Sequence, residues 1–307
     1  MVLGLPILNA DDVKKIIPNC FAVGTPCNGG QKIVFPCLIN EKKNALKFMS
    51  VEPGLSESEE NEDITFMLDQ VTARAYREVQ IMDKCNSPYI IKLGDIGLNK
   101  TIYEDQYLLY FSEQWIEGSD LKEELRQRGA FSFEEGLKVC IHMAKAISEL
   151  WKLNKIHRDI KPGNIIHDRE TGNYILLDMG FAFDLEDKSL TAYGIVPGTK
   201  IYFSPEQLSP DKKRQMDFRS DLFNLGIVLY EIMTGKHPFY IRGITDYEIF
   251  QRILAYNPPA PSTINHNIPT VFDEIIMRLL SKKPHMRYRT CEQLIDKVNE
   301  MQRMVEV

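Results

Sequence analysis

The stretch IHRDIKPGNIIHD, residues 156–168, limits what this chain can fold into more than any other. It threads His157, Arg158, Asp159, Lys161 and Asn164 between Ile156, Ile160, Ile165 and Ile166. The isoleucines call for burial, and an unpaired charge taken into an apolar interior costs more than such side chains return. The polar groups must therefore partner one another or a bound ligand. Pro162-Gly163 in their midst favours a turn over a continuous helix or strand.

The flanking sequence divides in character near residues 114–120. KIVFPCLINEKKNALKFM (32–49) reads as two strands joined by the polar turn NEKKN. The run 52–63, EPGLSESEENED, carries six acidic side chains and no basic one, which suits a surface loop. Helical spacing of Phe66, Val71, Ala75, Val79 and Met82 follows it. YIIKLGDIGL (89–98) and DQYLLYFSEQWI (105–116) read as two further strands. Beyond EGSD (117–120) helices dominate: 131–155 with an apolar stripe through Leu137, Cys140, Ile141, Ala144 and Ile147, then 220–235, 246–257, 270–281 and 290–305.

Composition narrows the partners. A net charge of −6 and an acidic pI argue against nucleic acid or an anionic membrane surface. No apolar run is long enough to span a bilayer, and the amino terminus has no basic stretch ahead of its short apolar one, so a soluble, cytoplasmic protein is expected. Six scattered cysteines without a CxxC pair fit reduced thiols rather than a disulfide framework or a zinc site.

Within HRDIKPGN, an Asp can accept a proton, a Lys two residues on can neutralise an anion, and an Asn five residues on can ligate a hard metal ion. Phosphoryl transfer uses that set. Fourteen residues beyond Asn164 the strand-like Leu176-Leu177 ends in Asp178, a second oxygen ligand, followed by Met179 and Gly180. GTKIYFSPEQL (198–208), SDLFNLG (220–226) and Arg287 in KKPHMRYRT complete an ordered series. With these motifs in this order, the chain resembles a eukaryotic-type (Hanks-type) serine/threonine protein kinase catalytic domain from about residue 18 to 303.

The resemblance implies an α+β, bilobal fold, with a small antiparallel-sheet N-lobe carrying one main helix and a larger, mostly helical C-lobe. It delimits 1–17 as an amino-terminal extension, 18–116 as the N-lobe with the acidic insert 52–63, and 117–307 as the C-lobe. The catalytic loop is then 157–164 and the activation segment 178–206. It implies transfer of the γ-phosphoryl group of ATP, with magnesium or manganese, to a protein Ser or Thr, including the chain's own activation segment. The partner is a protein substrate; oligomeric state is not indicated.

Residue by residue, the resemblance makes Asp159 the group that orients the substrate hydroxyl and takes its proton, Lys161 a contact to the transferring phosphoryl, and Asn164 and Asp178 the magnesium ligands. Thr199 would bond to the catalytic Asp and Lys. Lys47 takes the place of the phosphate-binding lysine, paired with Glu78. Gly29, Gly30 and Val34 occupy the glycine-rich loop, where CNGGQKIV matches one family glycine only; Lys32 stands in place of another and is expected to face solvent. Gln114 and Ile116 would present backbone groups to adenine and Asp120 a side chain to ribose, which puts an acidic residue, Glu113, at the back of the adenine pocket, where it must find a partner or face outward. Thr191, or alternatively Ser189, is the candidate phosphosite, with Arg158 the basic group to receive the phosphate. His157 is a packing residue beneath Met179, Glu206 and Arg287 a structural ion pair, Asp221 an anchor of the catalytic loop, and His167-Asp168 a turn before the next strand. A pseudokinase or scaffold without turnover is the alternative, motivated by the glycine loop and by Met179. A small-molecule kinase on a related fold would lack the 198–206 segment.

Overall fold

A computed structural model describes residues 5–29, 32–51, 62–179, 183–184, 200–209 and 216–305. Gly30, most of the acidic insert, Ser189, Thr191 and Thr199 lie outside the described residues. The chain forms two compact units: residues 1–85 with 91–116, and residues 86–90 with 117–307.

The first unit contains α1 (Ala10–Ile16), β1 (Cys20–Ala22), β2 (Cys27–Gly29), β3 (Lys32–Ile39), β4 (Lys42–Val51), α2 (Glu62–Lys84), β5 (Asn99–Tyr103) and β6 (Gln106–Gln114). The strands make one antiparallel sheet in the order β1-β3-β4-β6-β5, with β2 paired to β3. Strict alternation along β3 buries Ile33, Phe35, Cys37 and Ile39. With Leu46, Phe48 and Leu108 they form a core that Val13 of α1 helps to close. The opposite face carries Val34 and Lys47 as directly paired neighbours on β3 and β4, and α2 packs against β4 and β6.

Both long hairpins close through two-residue loops. Ile39 pairs with Lys42 across Asn40-Glu41, and Tyr103 with Gln106 across Glu104-Asp105. All four loop residues have positive φ, 45–66°, the conformation that matches the twist of the flanking strands.

Three expectations change here. Residues 89–98 are not a strand: the Asn44 and Ser112 side chains accept the Asp95 and Ile96 N–H groups at 2.9 Å each, taking donors a regular ladder would use. Gly94 lies so close to both side chains that a Cβ there would overlap them, and the strand begins only at Asn99. The amino-terminal extension contains α1, whose Asn9 and Asp12 form a capping box. Helix α2 starts at Glu62, within the stretch assigned to the acidic insert.

The second unit contains β7 (Gly118–Asp120), α3 (Leu121–Arg128), α4 (Phe133–Lys152), β8 (Lys155–Ile156), β9 (Ile165–Asp168), β10 (Tyr174–Leu176), β11 (Phe183–Asp184), α5 (Arg219–Thr234), α6 (Asp246–Ala255), α7 (Thr270–Leu279) and α8 (Cys291–Val305). Apolar almost all round, α5 is buried nearly end to end and packs against α4 and α7, while α4 also packs against α8. His167 and Asp168 lie on β9 rather than in a turn. They are held there by pairing with β7 and β10, and the chain reverses after them at Arg169–Asn173. No helix of the described residues is long and apolar enough to cross a membrane.

Candidate active site

In the first unit, strand register decides which groups meet. Lys47 on β4 lies opposite Phe111 of β6, and Ala45 lies opposite Glu113, so Lys47 and Glu113 project from the same sheet face at diagonal positions. Lys47 Nζ donates to Glu113 Oε1 at 2.5 Å and lies 3.6 Å from Glu78 Oε1. Glu78, fully buried on α2, receives both of its short contacts from Lys32 Nζ, at 2.6 and 2.8 Å. Lys32 thus faces inward, contrary to expectation: β-alternation puts it on the same face as Val34 and Lys47, where Glu78 supplies a counter-charge. Glu113, also buried, finds the partner it needs in Lys47. Burial pushes the Glu113 carboxyl above the ordinary range; Lys47 opposes the rise, and the charge of Glu78 adds to it.

Gly29 ends β2 opposite Lys32. Gln114 ends β6 opposite Asn44, and Ile116 is buried two residues on. In the second unit Asp120 is the N-cap of α3, its Oδ1 accepting the Glu123 N–H at 2.9 Å.

The catalytic-loop residues all belong to the second unit. Asp221 on α5 accepts the N–H of His157 through Oδ2 and that of Arg158 through Oδ1, both at 2.8 Å. These bonds hold Arg158 at a φ of 69°, a conformation costing about 1 kcal/mol for a residue with a Cβ. The His157 ring accepts the Asp159 N–H at Nδ1 and meets the Leu177 carbonyl at Nε2, which makes it the neutral Nε2–H tautomer. Burial lowers its pKa to about 4. Met179 is fully buried.

Asp159 is 4% exposed. Its Oδ2 accepts from Lys161 Nζ at 2.7 Å and from Asn164 Nδ2 at 3.0 Å, and among the described residues its buried Oδ1 has no hydrogen-bond partner. Burial pushes the carboxyl up to about 6 against the pull of Lys161 and Asn164, with the charge of Asp178 adding to the rise. The Leu177 N–H donates to the Asn164 carbonyl at 2.8 Å, bringing the residue before Asp178 onto the catalytic loop. Asp178 itself has a φ of 59°.

The donors in this cluster, the Asn164 amide oxygen, the Asp178 carboxylate and the orphaned Asp159 Oδ1, are all hard oxygens, and such a set fits magnesium. Among the described residues no group of three or more His, Cys, Asp or Glu offers an alternative metal site.

Arg287, 1% exposed, makes a two-pronged contact with Glu206 at 2.6 and 3.0 Å, and Ser220 Oγ donates to the same carboxylate. Burial raises the Glu206 carboxyl, yet Arg287 overrides it and holds the group below its ordinary value. Sequence reasoning missed the direct parts of Lys32 and Glu113 in the charged cluster. The strand assignment of KIVFPCLI was the available signal, since residues two apart on a strand share a face and Lys32 therefore falls on that of Val34.

A family model described as the protein kinase domain matches residues 28–298. A probable serine/threonine-protein kinase of Clostridium perfringens is 30% identical over 235 residues, covering 76% of this chain and 33% of that protein. Serine/threonine-protein kinase PrkC of Bacillus subtilis is 32% identical over 221 residues, 72% of this chain and 32% of its own length. Serine/threonine-protein kinase PknH of Mycobacterium bovis is 28% identical over 256 residues, 83% and 40% respectively. The chain spans about a third of the length of the first two of these curated relatives. The match runs through both compact units and every motif from the paired strands around Lys47 to Arg287, and the chain belongs to the protein kinase domain family.

Proposed function

We propose that the chain transfers the γ-phosphoryl group of ATP to a serine or threonine hydroxyl of a protein, with its own Thr191 or Ser189 among the targets. The observation that carries this reading is Asp159: a buried carboxylate whose Oδ2 is fixed by Lys161 and Asn164 and whose Oδ1 is left without a partner among the described residues. Such a group can orient a hydroxyl and accept its proton as the oxygen attacks phosphorus and ADP leaves. The Lys161 ammonium neutralises charge on the transferring group. Lys47 engages the nucleotide phosphates, and Gly29, Gly30 and Val34 line their approach. Gln114 and Ile116 meet the base, and Asp120 meets the ribose. The family resemblance gives Thr199, outside the described residues, the part of bonding to Asp159 and Lys161. Magnesium, which Asn164 and Asp178 would hold, supplies positive charge to the phosphate oxygens, and manganese suits the same oxygen donors.

Under this reading residues 18–116 are the nucleotide-binding lobe, 117–307 the catalytic lobe and 1–17 an extension. Six free cysteines suit a reducing, cytoplasmic setting. Incubation with ATP and magnesium, followed by intact-mass and phosphopeptide mapping, tests the reading. Wild type is expected to gain phosphate, and Asp159→Asn to lose roughly 10²–10⁴ of the rate. Absence of transfer to any protein substrate by wild type would leave a nucleotide-binding scaffold instead.

A further inference from the structure

Lys32, Lys47, Glu78 and Glu113 form a buried cluster of two ammonium and two carboxylate groups. Strands β3 and β4 place the two lysines at diagonal positions on one sheet face. Their Nζ atoms lie 5.9 and 5.8 Å from the centroid of the Phe111 ring, so one aromatic side chain adjoins both charges. Formal charge within the cluster is balanced. The pairing is not the one the family resemblance implies, because Lys32 makes both short contacts to Glu78 and Lys47 makes its short contact to Glu113.

We propose that Lys32, rather than Lys47, tethers Glu78 and with it helix α2, and that Glu113 is a resident counter-ion of Lys47 which a nucleotide phosphate displaces and which takes up a proton as it is displaced. The inference rests on the reading of Lys47 as a phosphate contact. Among the described residues, Lys47 on β4, Glu78 on α2 and Lys32 on β3 are the charged groups that act on Glu113. When Lys47 turns to a phosphate, Glu113 keeps its burial and its repulsion from Glu78 but loses its nearest cation. A buried carboxylate in that position is stable only as the neutral acid, and such groups titrate as high as about pH 8–9. Burial already raises this carboxyl in the paired state. Nucleotide binding then consumes a proton and weakens as pH rises. Because Glu78 is held by Lys32, Lys47 can leave without releasing α2. Lys32 and Glu113 are in this sense positioning residues.

The test is calorimetric titration of the full chain with ADP and magnesium, from about pH 7 to about pH 8.5, above the range in which phosphate oxygens titrate. Two buffers of different ionisation enthalpy are used, so that proton uptake is read directly. Wild type is expected to take up a proton and to lose affinity with rising pH, by at most about tenfold per unit. Glu113→Gln is expected to abolish the uptake, flatten the pH dependence and bind several-fold more tightly at the alkaline end. Absence of uptake in wild type, which needs no variant to measure, overturns the proposal, as does uptake that persists in Glu113→Gln. For the tether, hydrogen exchange of the α2 amides is expected to accelerate in Lys32→Met and not in Lys47→Met, and the reverse pattern overturns it. If wild type binds no ADP, or Lys47→Met binds as wild type does, the nucleotide reading itself fails and takes the inference with it. Uptake lost without any change in ADP stoichiometry would be the signature of Glu113 alone.

Discussion

Lys282 carries its ammonium 4.0 Å from the centroid of Phe239 and 5.6 Å from that of Phe223, and its Nζ is buried with no hydrogen-bond partner among the described residues. Burial first, then the charges of Arg287 and Arg252, bring its pKa down from the ordinary 10.5 to about 7. The two aromatic faces recover part of what desolvation costs, but not the missing hydrogen bonds. A folded-state pKa below the unfolded value means that protonation favours the unfolded chain. The penalty is complete below about pH 7 and fades as pH rises toward 10.5. Lys282→Met is therefore expected to stabilise the protein by about 1 kcal/mol near neutrality, and by less at pH 9. Thermal melts of the two proteins at both pH values check it. Glu78 shows the limit of reading single residues from a sequence. Lys32 and Lys47 are fifteen positions apart in the chain yet project from one sheet face, and only register and side-chain reach decide which of them a helix carboxylate meets.

Among elements, the β3–β4 hairpin was legible because polar NEKKN separates two largely apolar runs, and α4 to α8 because their apolar residues recur over ten or more positions, whereas the eight-residue α3, mostly charged, was missed. Residues 89–98 were not legible: their composition is that of a strand, and what removes them from the ladder is two side chains, Asn44 and Ser112, remote in the sequence. The seven-residue α1 was missed because its definition comes from the Asn9–Asp12 capping box and from docking of Val13 into the sheet core. The hairpin loop itself carries a testable cost. Glu41 sits at a φ of 66°, where glycine is favoured and a Cβ is crowded. Glu41→Gly is expected to stabilise the first unit by about 0.5–1 kcal/mol, seen as a higher denaturant midpoint with an unchanged slope.

At the scale of the whole molecule, a sheet-rich part and a helical part were readable from the change in pattern near residues 114–120, while the place of residues 86–90 in the second unit and the pairing inside the charged cluster were not. The helical unit has its own response to acid. His237 accepts the Phe239 and Tyr240 N–H groups at Nδ1, and burial lowers its pKa to about 3. His142 accepts the Tyr174 N–H, stacks on Tyr89, and falls to about 4, chiefly through burial, with help from Lys145 and Lys138. Depressed folded-state values mean that the unfolded chain binds the extra protons. The stability these neutral rings contribute is intact above pH 6.5 and is lost as pH falls toward 4. At pH 5 the loss is expected to be roughly 2 kcal/mol for His237 and smaller for His142, which keeps some contact with solvent. Melting curves at pH 7.5 and pH 5 should show it, with the decline reduced in His237→Asn. The bonds from Asp221 to the peptide groups of His157 and Arg158 have a wider consequence. They couple the loop around Asp159 to the most deeply packed helix of the unit rather than to its surface. Sequence drift in exposed loops then leaves the loop's position untouched, whereas a repacking of α5 against α4 or α7 is transmitted to it as a displacement. The alignment of the reacting groups is in this way a property of the interior, and variants that slow the reaction are to be sought in the α5 core as much as beside Asp159.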